Sequence, residues 1–277
     1  MIQDKAAEVE RQKKSIDEKM KQIKYKIAVI SGKGGVGKSS ASVNIACALG
    51  ALGKKCGLFD TDLHGPNAAK LLGIEDKQMM QENEELIPVN GPTGVKVVSM
   101  GLTGSDPDRP IIWRGPMKAG MIRSFLSDTA WGNLDYMIID SPPGTGDEPL
   151  SVLQLIPGLT GVIIVTTPQE VAVLDARKSF VFAKEMKTGI IGVIENMSGF
   201  MCPHCGKETE LFAGKGGEKM AEELGAEFLG RVPFDPVFGA VSDSGGVPVL
   251  NADENKAAEA FKKISLKIES VLADKKN

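Results

Sequence analysis

Residues 26–39 read KIAVISGKGGVGKS and give the strongest indication of the fold. The segment begins with a short apolar run, typical of a buried strand, and continues directly into a glycine-rich loop. Such a loop lets backbone N–H groups converge on phosphate oxygens at the start of a helix. Lys38 is then expected to reach the β- and γ-phosphates, and Ser39 to bind Mg²⁺. The candidate nucleotide-binding residues of this stretch are Gly32, Lys33, Gly34, Gly35, Val36, Gly37, Lys38, Ser39 and Ser40.

Short apolar runs and longer helical stretches alternate along the rest of the chain. The further predicted strands are residues 56–60, 95–100, 134–140, 161–167, 190–197 and 228–234. The predicted helices are residues 38–52, 66–72, 116–129, 170–186 and 253–272. Strands buried on both faces read as continuous Val/Ile runs, and repeated strand–helix units imply a parallel sheet. We therefore expect residues 25–277 to form a single α/β P-loop NTPase domain, with a mostly parallel seven- to eight-stranded sheet flanked by helices.

A charged segment, residues 1–24, precedes this domain. Its few apolar residues, Val9, Ile16, Met20 and Ile23, form a thin stripe at helical spacing. We expect a helical extension that is mostly solvated and docks weakly on the domain. The alternative is a helix that binds a partner or a second copy of the chain.

The composition argues against several classes of protein. Of the 277 residues, 42% are hydrophobic and 25% are charged, as in ordinary globular domains, so wholesale disorder is not expected. The formal net charge of -3 provides no global field that would attract nucleic acid or anionic lipid. The sequence shows neither a secretory signal nor an uninterrupted apolar run of about 18 residues. We expect a cytoplasmic protein with no nucleic-acid or membrane partner.

Acidic residues end two of the predicted strands, where ligands bind in open α/β sheets. Asp60 ends the second strand and Asp62 follows two residues later, and their carboxylates could hold Mg²⁺-bound water and orient the attacking water. For Asp62, a catalytic role stands against the alternative of a turn-forming Asp. Asp140 is the expected Walker B carboxylate, which supports Mg²⁺ beside Ser39. Gly144 follows it and is expected to present its N–H to the γ-phosphate.

Residues 202–205 read CPHC, a spacing at which two thiolates suit tetrahedral Zn²⁺ or the iron of a cluster. The pair is incomplete, because both kinds of site normally take four ligands. Cys47 lies in a predicted helix and Cys56 in a predicted strand, so we expect both in the core. Two chains related by a two-fold axis would supply four thiolates. From spacing alone, zinc, iron–sulfur, a thioredoxin-like redox pair and an unligated turn all stay open.

Lys33 places a second cation inside the loop, where it would crowd Lys38 around the same anion. The segment KGGVGKS resembles the deviant Walker A loop of the ATPases that include MinD, ParA and the nitrogenase iron protein. The resemblance implies that Lys33 reaches the phosphates of a partner chain and acts in catalysis there, within a dimer formed around ATP. It also implies that Asn196, which the residues alone leave open as a turn former, contacts adenine, with Pro233 in the loop that lines the base pocket.

The order of the motifs GKGGVGKS, DTDLHGP, IIWRGPM, IDSPPGTGDEPL, ENMSGFMCPHCG and FLGRVPFDP is similar to the Mrp/ApbC family of iron–sulfur carrier ATPases. The similarity covers residues 26–250. It implies a homodimer whose paired Cys202 and Cys205 hold a labile [4Fe-4S] cluster, received from the assembly machinery and passed to apo-proteins. It also implies slow, Mg²⁺-dependent ATP hydrolysis. The alternative is a MinD- or ParA-like spatial organiser with a structural zinc at the cysteine pair.

Overall fold

The computed structural model describes residues 2–104, 115–202, 204–205, 207–212 and 216–274. Its helices are α1 (Ile2–Lys21), α2 (Lys38–Ala51), α3 (Ala68–Leu71), α4 (Gly115–Asp128), α5 (Asp147–Leu155), α6 (Glu170–Glu185), α7 (Gly216–Leu224), α8 (Pro236–Asp243) and α9 (Lys256–Asp274). Its strands are β1 (Ile23–Ile30), β2 (Cys56–Asp60), β3 (Met80–Glu82), β4 (Glu85–Ile87), β5 (Val89–Asn90), β6 (Lys96–Val98), β7 (Leu134–Asp140), β8 (Gly161–Thr166), β9 (Ile190–Glu195), β10 (Phe200–Met201), β11 (Glu208–Thr209) and β12 (Phe228–Arg231). Short 3₁₀ segments occupy Pro92–Gly94, Met100–Leu102 and Pro248–Glu254.

A single eight-stranded sheet organises the chain, in the order β12–β9–β8–β1–β7–β2–β6–β5. Its strands pair in parallel except for β5, which is antiparallel to β6. The prediction of a mostly parallel α/β sheet of seven to eight strands is confirmed. Two hairpins, β3–β4 and β10–β11, were not predicted, because strands of two or three residues are too short to show a periodicity.

The two faces of the sheet bury separate apolar clusters. In β1, Ile27 and Val29 belong to the cluster under α2 and α9, whereas Ala28 and Ile30 belong to the cluster that also contains residues of α4, α5 and α6. Both faces are therefore covered, which explains the continuous apolar runs in the sequence. Among the described helices, none has the length and apolarity needed to cross a bilayer.

The second half of α1 is part of the core. Ile16 is 4% exposed and Met20 1% exposed, and both pack in the cluster that contains α4. Ser15 Oγ donates a hydrogen bond of 2.7 Å to the carbonyl of Ser127 at the end of α4. The expectation of a mostly solvated, weakly docked arm is therefore wrong for this half of the helix, because the apolar stripe faces the body.

A buried lysine closes the junction between α1 and β1. Lys26 Nζ donates hydrogen bonds of 3.0 Å to the carbonyls of Met20 and Ile23. An ammonium at a helix C-terminus complements the carbonyls that lack an intrahelical partner. Because β1 begins at Ile23, the expected boundary between residues 24 and 25 falls inside the first strand.

Candidate functional site

The glycine-rich loop lies between β1 and α2, at the carboxyl edge of the sheet. Gly35 and Gly37 have φ angles of 79° and 83°, in the left-handed region that favours glycine. At Gly32, a Cβ would lie 2.2 Å from the carbonyl oxygen of Asp175 in α6, so only glycine fits there. The loop borders a cleft of about 360 Å³. Among the residues that line this cleft are Gly34, Gly35, Gly37, Lys38, Ser39, Ser40 and Asp62.

A buried ion pair lies on the floor of this site. Lys38 Nζ is 2.6 Å from Asp140 Oδ1 and 3.3 Å from Ser39 Oγ. Ser42 Oγ, one turn further along α2, donates a second hydrogen bond of 2.8 Å to Asp140 Oδ1. Asp140 Oδ2 is buried and has no hydrogen-bond partner among the described residues. A carboxylate oxygen with unused acceptor capacity, close to a serine hydroxyl, fits the oxygen ligands or bound waters of Mg²⁺.

The sheet register places Asp60 beside Asp140, since the two residues are partners across β2 and β7. Burial, reinforced by the charge of Asp140 and opposed by that of Lys38, raises the pKa of Asp60 to about 7. Its carboxylate accepts hydrogen bonds from Asp62 N at 3.1 Å, Ala68 N at 3.2 Å and Ser99 Oγ at 3.0 Å. In this conformation Asp60 therefore anchors both ends of the loop that joins β2 to α3.

Asp62 borders the nucleotide cleft, but its carboxylate makes a local turn. Oδ1 accepts hydrogen bonds from the backbone N–H groups of His64 at 3.3 Å and Gly65 at 3.2 Å. This is the Asx-type turn that stood as the alternative to a catalytic role. A role in orienting water would require the side chain to leave the turn.

Gly144 lies against the residue that leads into the glycine-rich loop. Its N–H donates a hydrogen bond of 2.8 Å to the carbonyl of Ser31, the first residue after β1. The expectation that this N–H faces a γ-phosphate stays a prediction, and it requires this bond between the two loops to break. Its φ of 99° shows why glycine is needed there.

Asn196 holds the glycine-rich loop. Its Nδ2 donates a hydrogen bond of 2.9 Å to the carbonyl of Val36, and the side chain is 8% exposed. A Cβ on Gly37 would lie 2.0 Å from the same nitrogen. Here the amide nitrogen thus binds protein backbone, and a contact with adenine would compete with this bond.

The loop that contains Pro233 pairs with the chain that follows Asn196. Ser198 N donates to the carbonyl of Val232, and Phe234 N donates to the carbonyl of Gly199, both at 2.8 Å. Pro233 is half-buried between these two bonds. The expected base-pocket loop therefore runs alongside the segment that leads to Cys202.

Lys33 extends toward the start of α6 in its own chain. Its Nζ lies 3.5 Å from Gln169 Oε1, at the limit of a hydrogen bond, and the side chain is half-buried. The carbonyl of Lys33 accepts a hydrogen bond of 3.0 Å from Ser31 Oγ. The long contact leaves the ammonium weakly held, which suits a group that acts on a ligand elsewhere.

The two cysteines of the CPHC segment lie together at the end of the hairpin β10–β11. Backbone hydrogen bonds from His204 and Cys205, with a hydrogen bond from the Cys205 thiol, lower the pKa of Cys202. Cys202 is half-buried and Cys205 is exposed. Pro203, inside this segment, and Gly206, which follows it, lie outside the described residues. The arrangement favours the thiolate form, which is the form that binds metals.

The described part of the chain contains no group of three or more His, Cys, Asp or Glu side chains arranged to hold a metal ion. Cys47 and Cys56 are buried, and burial raises the pKa of each to about 12. The prediction that these two are core cysteines is confirmed. The thiols of Cys202 and Cys205 thus remain the candidate ligands, two for each chain.

Comparison with known proteins gives the family. A family model described as ParA, NUBPL iron-transfer P-loop NTPase, matches residues 22–269. The chain belongs to this family. It is 52% identical to an iron-sulfur cluster carrier protein of Methanocaldococcus jannaschii over 94% of this chain and 89% of the relative. It is 46% identical to the cytosolic Fe-S cluster assembly factor CFD1 of Eremothecium gossypii, over 80% of this chain and 81% of that protein.

Solved structures agree with the fold of this NUBPL-type NTPase. A nucleotide-binding protein of Archaeoglobus fulgidus in complex with ADP superposes with a TM-score of 0.75 at 39% identity, covering 85% of this chain and 92% of that one. MinD of Pyrococcus horikoshii, complexed with Mg-ADP, superposes with a TM-score of 0.67 at 23% identity, covering 91% of this chain and 98% of that one. The likeness to MinD shows the fold alone. The family resemblance inferred from the motifs is confirmed.

Two contacts of this NUBPL-type site were not anticipated from the sequence. Ser42 lies four residues after Lys38, on the same face of α2. The helical spacing could therefore have predicted that Ser42 lies near Asp140, as Lys38 does. Ser99 reaches Asp60 from the end of β6, and no pattern in the sequence linked those two positions. The second contact depends on which strands are neighbours.

Proposed function

We propose that this protein is an ATP-binding and ATP-hydrolysing iron–sulfur cluster carrier. The observation that carries the proposal is the pair of thiols of the half-buried Cys202 and the exposed Cys205, in which Cys202 has a lowered pKa. In the described part of the chain, this pair supplies only half of a four-ligand site. The names of the carrier and assembly-factor relatives support the same function. The cluster is cargo, and apo-proteins and the cluster-assembly machinery are the proposed partners.

The nucleotide site is proposed to bind ATP with Mg²⁺. Lys38 exchanges Asp140 for the β- and γ-phosphates, while the backbone N–H groups of the glycine-rich loop surround the phosphates. Ser39 and the unpartnered Asp140 Oδ2 would hold Mg²⁺, which supplies charge neutralisation at the phosphates. Asp62 then leaves its turn and orients the attacking water. Hydrolysis is expected to be slow, because this last rearrangement breaks two backbone hydrogen bonds.

The working form is proposed to be a homodimer. Two chains related by a two-fold axis supply four thiolates, the number that a [4Fe-4S] cluster normally takes. The weakly held Lys33 would cross to the phosphates of the other chain, in the manner of an arginine finger. Both sites are therefore complete only in the pair.

Nucleotide and cluster are proposed to communicate through Asn196. Its side chain binds the carbonyl of Val36, and Cys202 follows six residues later in the chain. The bonds from Ser198 and Phe234 fix the intervening segment to the loop after β12. An adenine that competes for the Asn196 amide would shift this segment and thereby the cysteine pair.

Anaerobic reconstitution with iron and sulfide tests the proposal. The protein should take up about four iron atoms per dimer and show the visible absorption of a cluster. Cys202→Ala and Cys205→Ala should lose the iron, whereas Cys47→Ala, the matched removal of a core thiol, should retain it. A protein that takes up zinc but no iron under these conditions would contradict the carrier function and favour a structural metal.

A further inference from the structure

A buried carboxylate joins the two ends of the cysteine loop, which we define as residues 198–217. Glu195 Oε1 accepts a hydrogen bond of 2.6 Å from Ser198 Oγ, where the loop begins. Glu195 Oε2 accepts a hydrogen bond of 2.6 Å from Gly217 N, where the loop ends. Glu195 is 0% exposed, so bulk solvent does not reach these acceptors. One side chain thus ties both ends of the loop that contains Cys202 and Cys205.

A cation and a helix N-terminus lie next to the Glu195 carboxylate. Arg231 Nε lies 3.3 Å from Oε1, and the same guanidinium also pairs with Glu218. Gly217 is in the first turn of α7, where the helix dipole favours a negative charge. A Cβ at Gly217 would come within 3.0 Å of both Glu195 Oε2 and Thr166 Cγ2, so the loop end fits closely against the carboxylate. Breaking such a buried pair leaves an uncompensated charge, which is costly.

The position of Glu195 in the chain gives this contact a functional consequence. It precedes Asn196, whose side chain holds the carbonyl of Val36 in the nucleotide loop. Two consecutive side chains therefore hold the nucleotide loop and the two ends of the cysteine loop. Neither Glu195 nor Ser198 is a proposed metal ligand. An effect of either residue on metal binding must therefore act through the conformation of the cysteine loop.

We propose that Glu195 is a positioning residue for the metal cargo. By fixing the separation of Ser198 and Gly217, it presents the Cys202 and Cys205 thiols in the geometry that a thiophilic metal requires. This inference rests on the proposed function in that the cysteine pair must bind metal. Outer-shell groups that orient ligands contribute about 10- to 100-fold in metal affinity, and Glu195 acts one step further away.

Titration of the reduced, full-length protein with Co²⁺ tests the role of Glu195, with the thiolate-to-cobalt absorption as the readout. Glu195→Gln should weaken Co²⁺ binding by about 10-fold and change ATP affinity by less than about 2-fold. The matched control is Glu218→Gln, which removes the other partner of Arg231 and should bind Co²⁺ as the wild type does. Wild-type Co²⁺ affinity in Glu195→Gln, or an equal loss of ATP affinity, would overturn the proposal.

Ser198→Ala is the second variant, and it tests the positioning role of Glu195 if Glu195→Gln does not fold. It removes one tie while the bonds from Gly217 and Arg231 stay, so we expect a smaller loss of Co²⁺ affinity, about 3-fold. Unchanged affinity in Ser198→Ala would then overturn the proposal. Wild-type protein that binds neither Co²⁺ nor iron at Cys202 and Cys205 would refute the proposed function itself. Wild-type binding that persists unchanged in the Glu195 and Ser198 variants refutes only the positioning role.

Discussion

The ammonium of Lys38 lies 2.6 Å from the Asp140 carboxylate, and their side chains are only 7% and 1% exposed. The lysine that is expected to bind phosphate is therefore held by the carboxylate that is expected to support Mg²⁺. A nucleotide that enters the cleft competes with Asp140 for this cation. The ion pair thus links the stability of the domain to the state of its nucleotide site.

Lys38→Ala should abolish ATP binding and hydrolysis, because no other cation is placed in the floor of the loop by the described contacts. It should also lower the free energy of unfolding by about 3 kcal/mol, since Asp140 stays buried without its partner. Calorimetric titration with ATP and chemical denaturation measure the two effects. The double variant Lys38→Ala/Asp140→Asn should regain much of the stability but not ATP binding. Iron binding at Cys202 should survive, and its loss would argue against separable sites.

Lys33→Ala should leave folding nearly unchanged, within about 0.5 kcal/mol, because the only described contact of its ammonium is long. Hydrolysis should decrease by about 10³-fold or more if Lys33 acts as a finger. Mixing Lys33→Ala with Lys38→Ala separates action within a chain from action across a dimer. In a mixed dimer the second chain supplies Lys33 to the intact loop of the first, so activity should partly return. Two inactive variants that stay inactive when mixed would rule out the crossed arrangement.

The pKa of Asp60 predicts a pH-dependent stability. Burial and the charge of Asp140 raise this pKa from 3.8 to about 7, so the folded protein keeps a proton that the unfolded chain loses. The contribution of Asp60 to stability is full below about pH 4 and is lost as the pH rises through about 7. Each pKa unit corresponds to about 1.4 kcal/mol. Wild-type protein should therefore lose stability relative to Asp60→Asn across this window.

Chemical denaturation of the wild type and of Asp60→Asn at several pH values between about 4 and 8 measures how the free energy of unfolding of each depends on pH. Ser99→Ala provides a second comparison, because Ser99 donates a hydrogen bond that lowers the pKa of Asp60. Without this hydrogen bond the pKa of Asp60 should be higher, so the loss of stability should continue to a higher pH. A difference between wild type and Asp60→Asn that is the same at every pH would show that Asp60 carries no shifted proton.

Gly32 and Gly34 form a matched pair for testing the loop. Gly32→Ala places a Cβ 2.2 Å from the Asp175 carbonyl, so α6 or the loop must move; the expected cost is about 1–3 kcal/mol, with weaker ATP binding. At Gly34 the corresponding Cβ has no atom within 4 Å among the described residues, apart from Gly34 itself and its two chain neighbours. Gly34→Ala should therefore fold with nearly wild-type stability, as thermal unfolding will show. Equal melting temperatures for the two variants would contradict the close approach of Gly32 to α6.

Asn196→Ala should uncouple the two sites. The loss of its bond to Val36 leaves a buried carbonyl without that donor and should cost about 1–2 kcal/mol. In the wild type, ATP is expected to change the affinity of the cysteine pair for Co²⁺; in Asn196→Ala this difference should vanish. Asn67→Ala is the control, because Asn67 borders the same cleft but is exposed. Persistence of the ATP effect in Asn196→Ala would remove Asn196 from the route of communication.

Seven of the eight strands of the central sheet were foreseeable to within a few residues, because runs such as β7 and β8 are continuously apolar and buried on both faces. The edge strand β5 was not predicted, because its two residues are too short to show a pattern. The helices α5, α7 and α8 were not predicted. They span nine, nine and eight residues, and two begin with Gly or Pro, so local pattern gives a weak signal. The hairpin β10–β11, which carries the cysteine pair, was missed for a similar reason: each of its strands has only two residues.

The amino-acid sequence alone determined the phosphate loop, the acidic strand ends and the pair of thiols, because each of these depends on residues close together in the chain. Only the tertiary structure decided that Asn196 binds Val36 and that Glu195 ties Ser198 to Gly217. Those contacts depend on strand order and on the way loops pack at the sheet edge. The reason is physical: short-range geometry follows from the backbone preferences and spacing of neighbours, whereas a buried amide or carboxylate takes whichever partner the assembled fold brings within 3 Å of it.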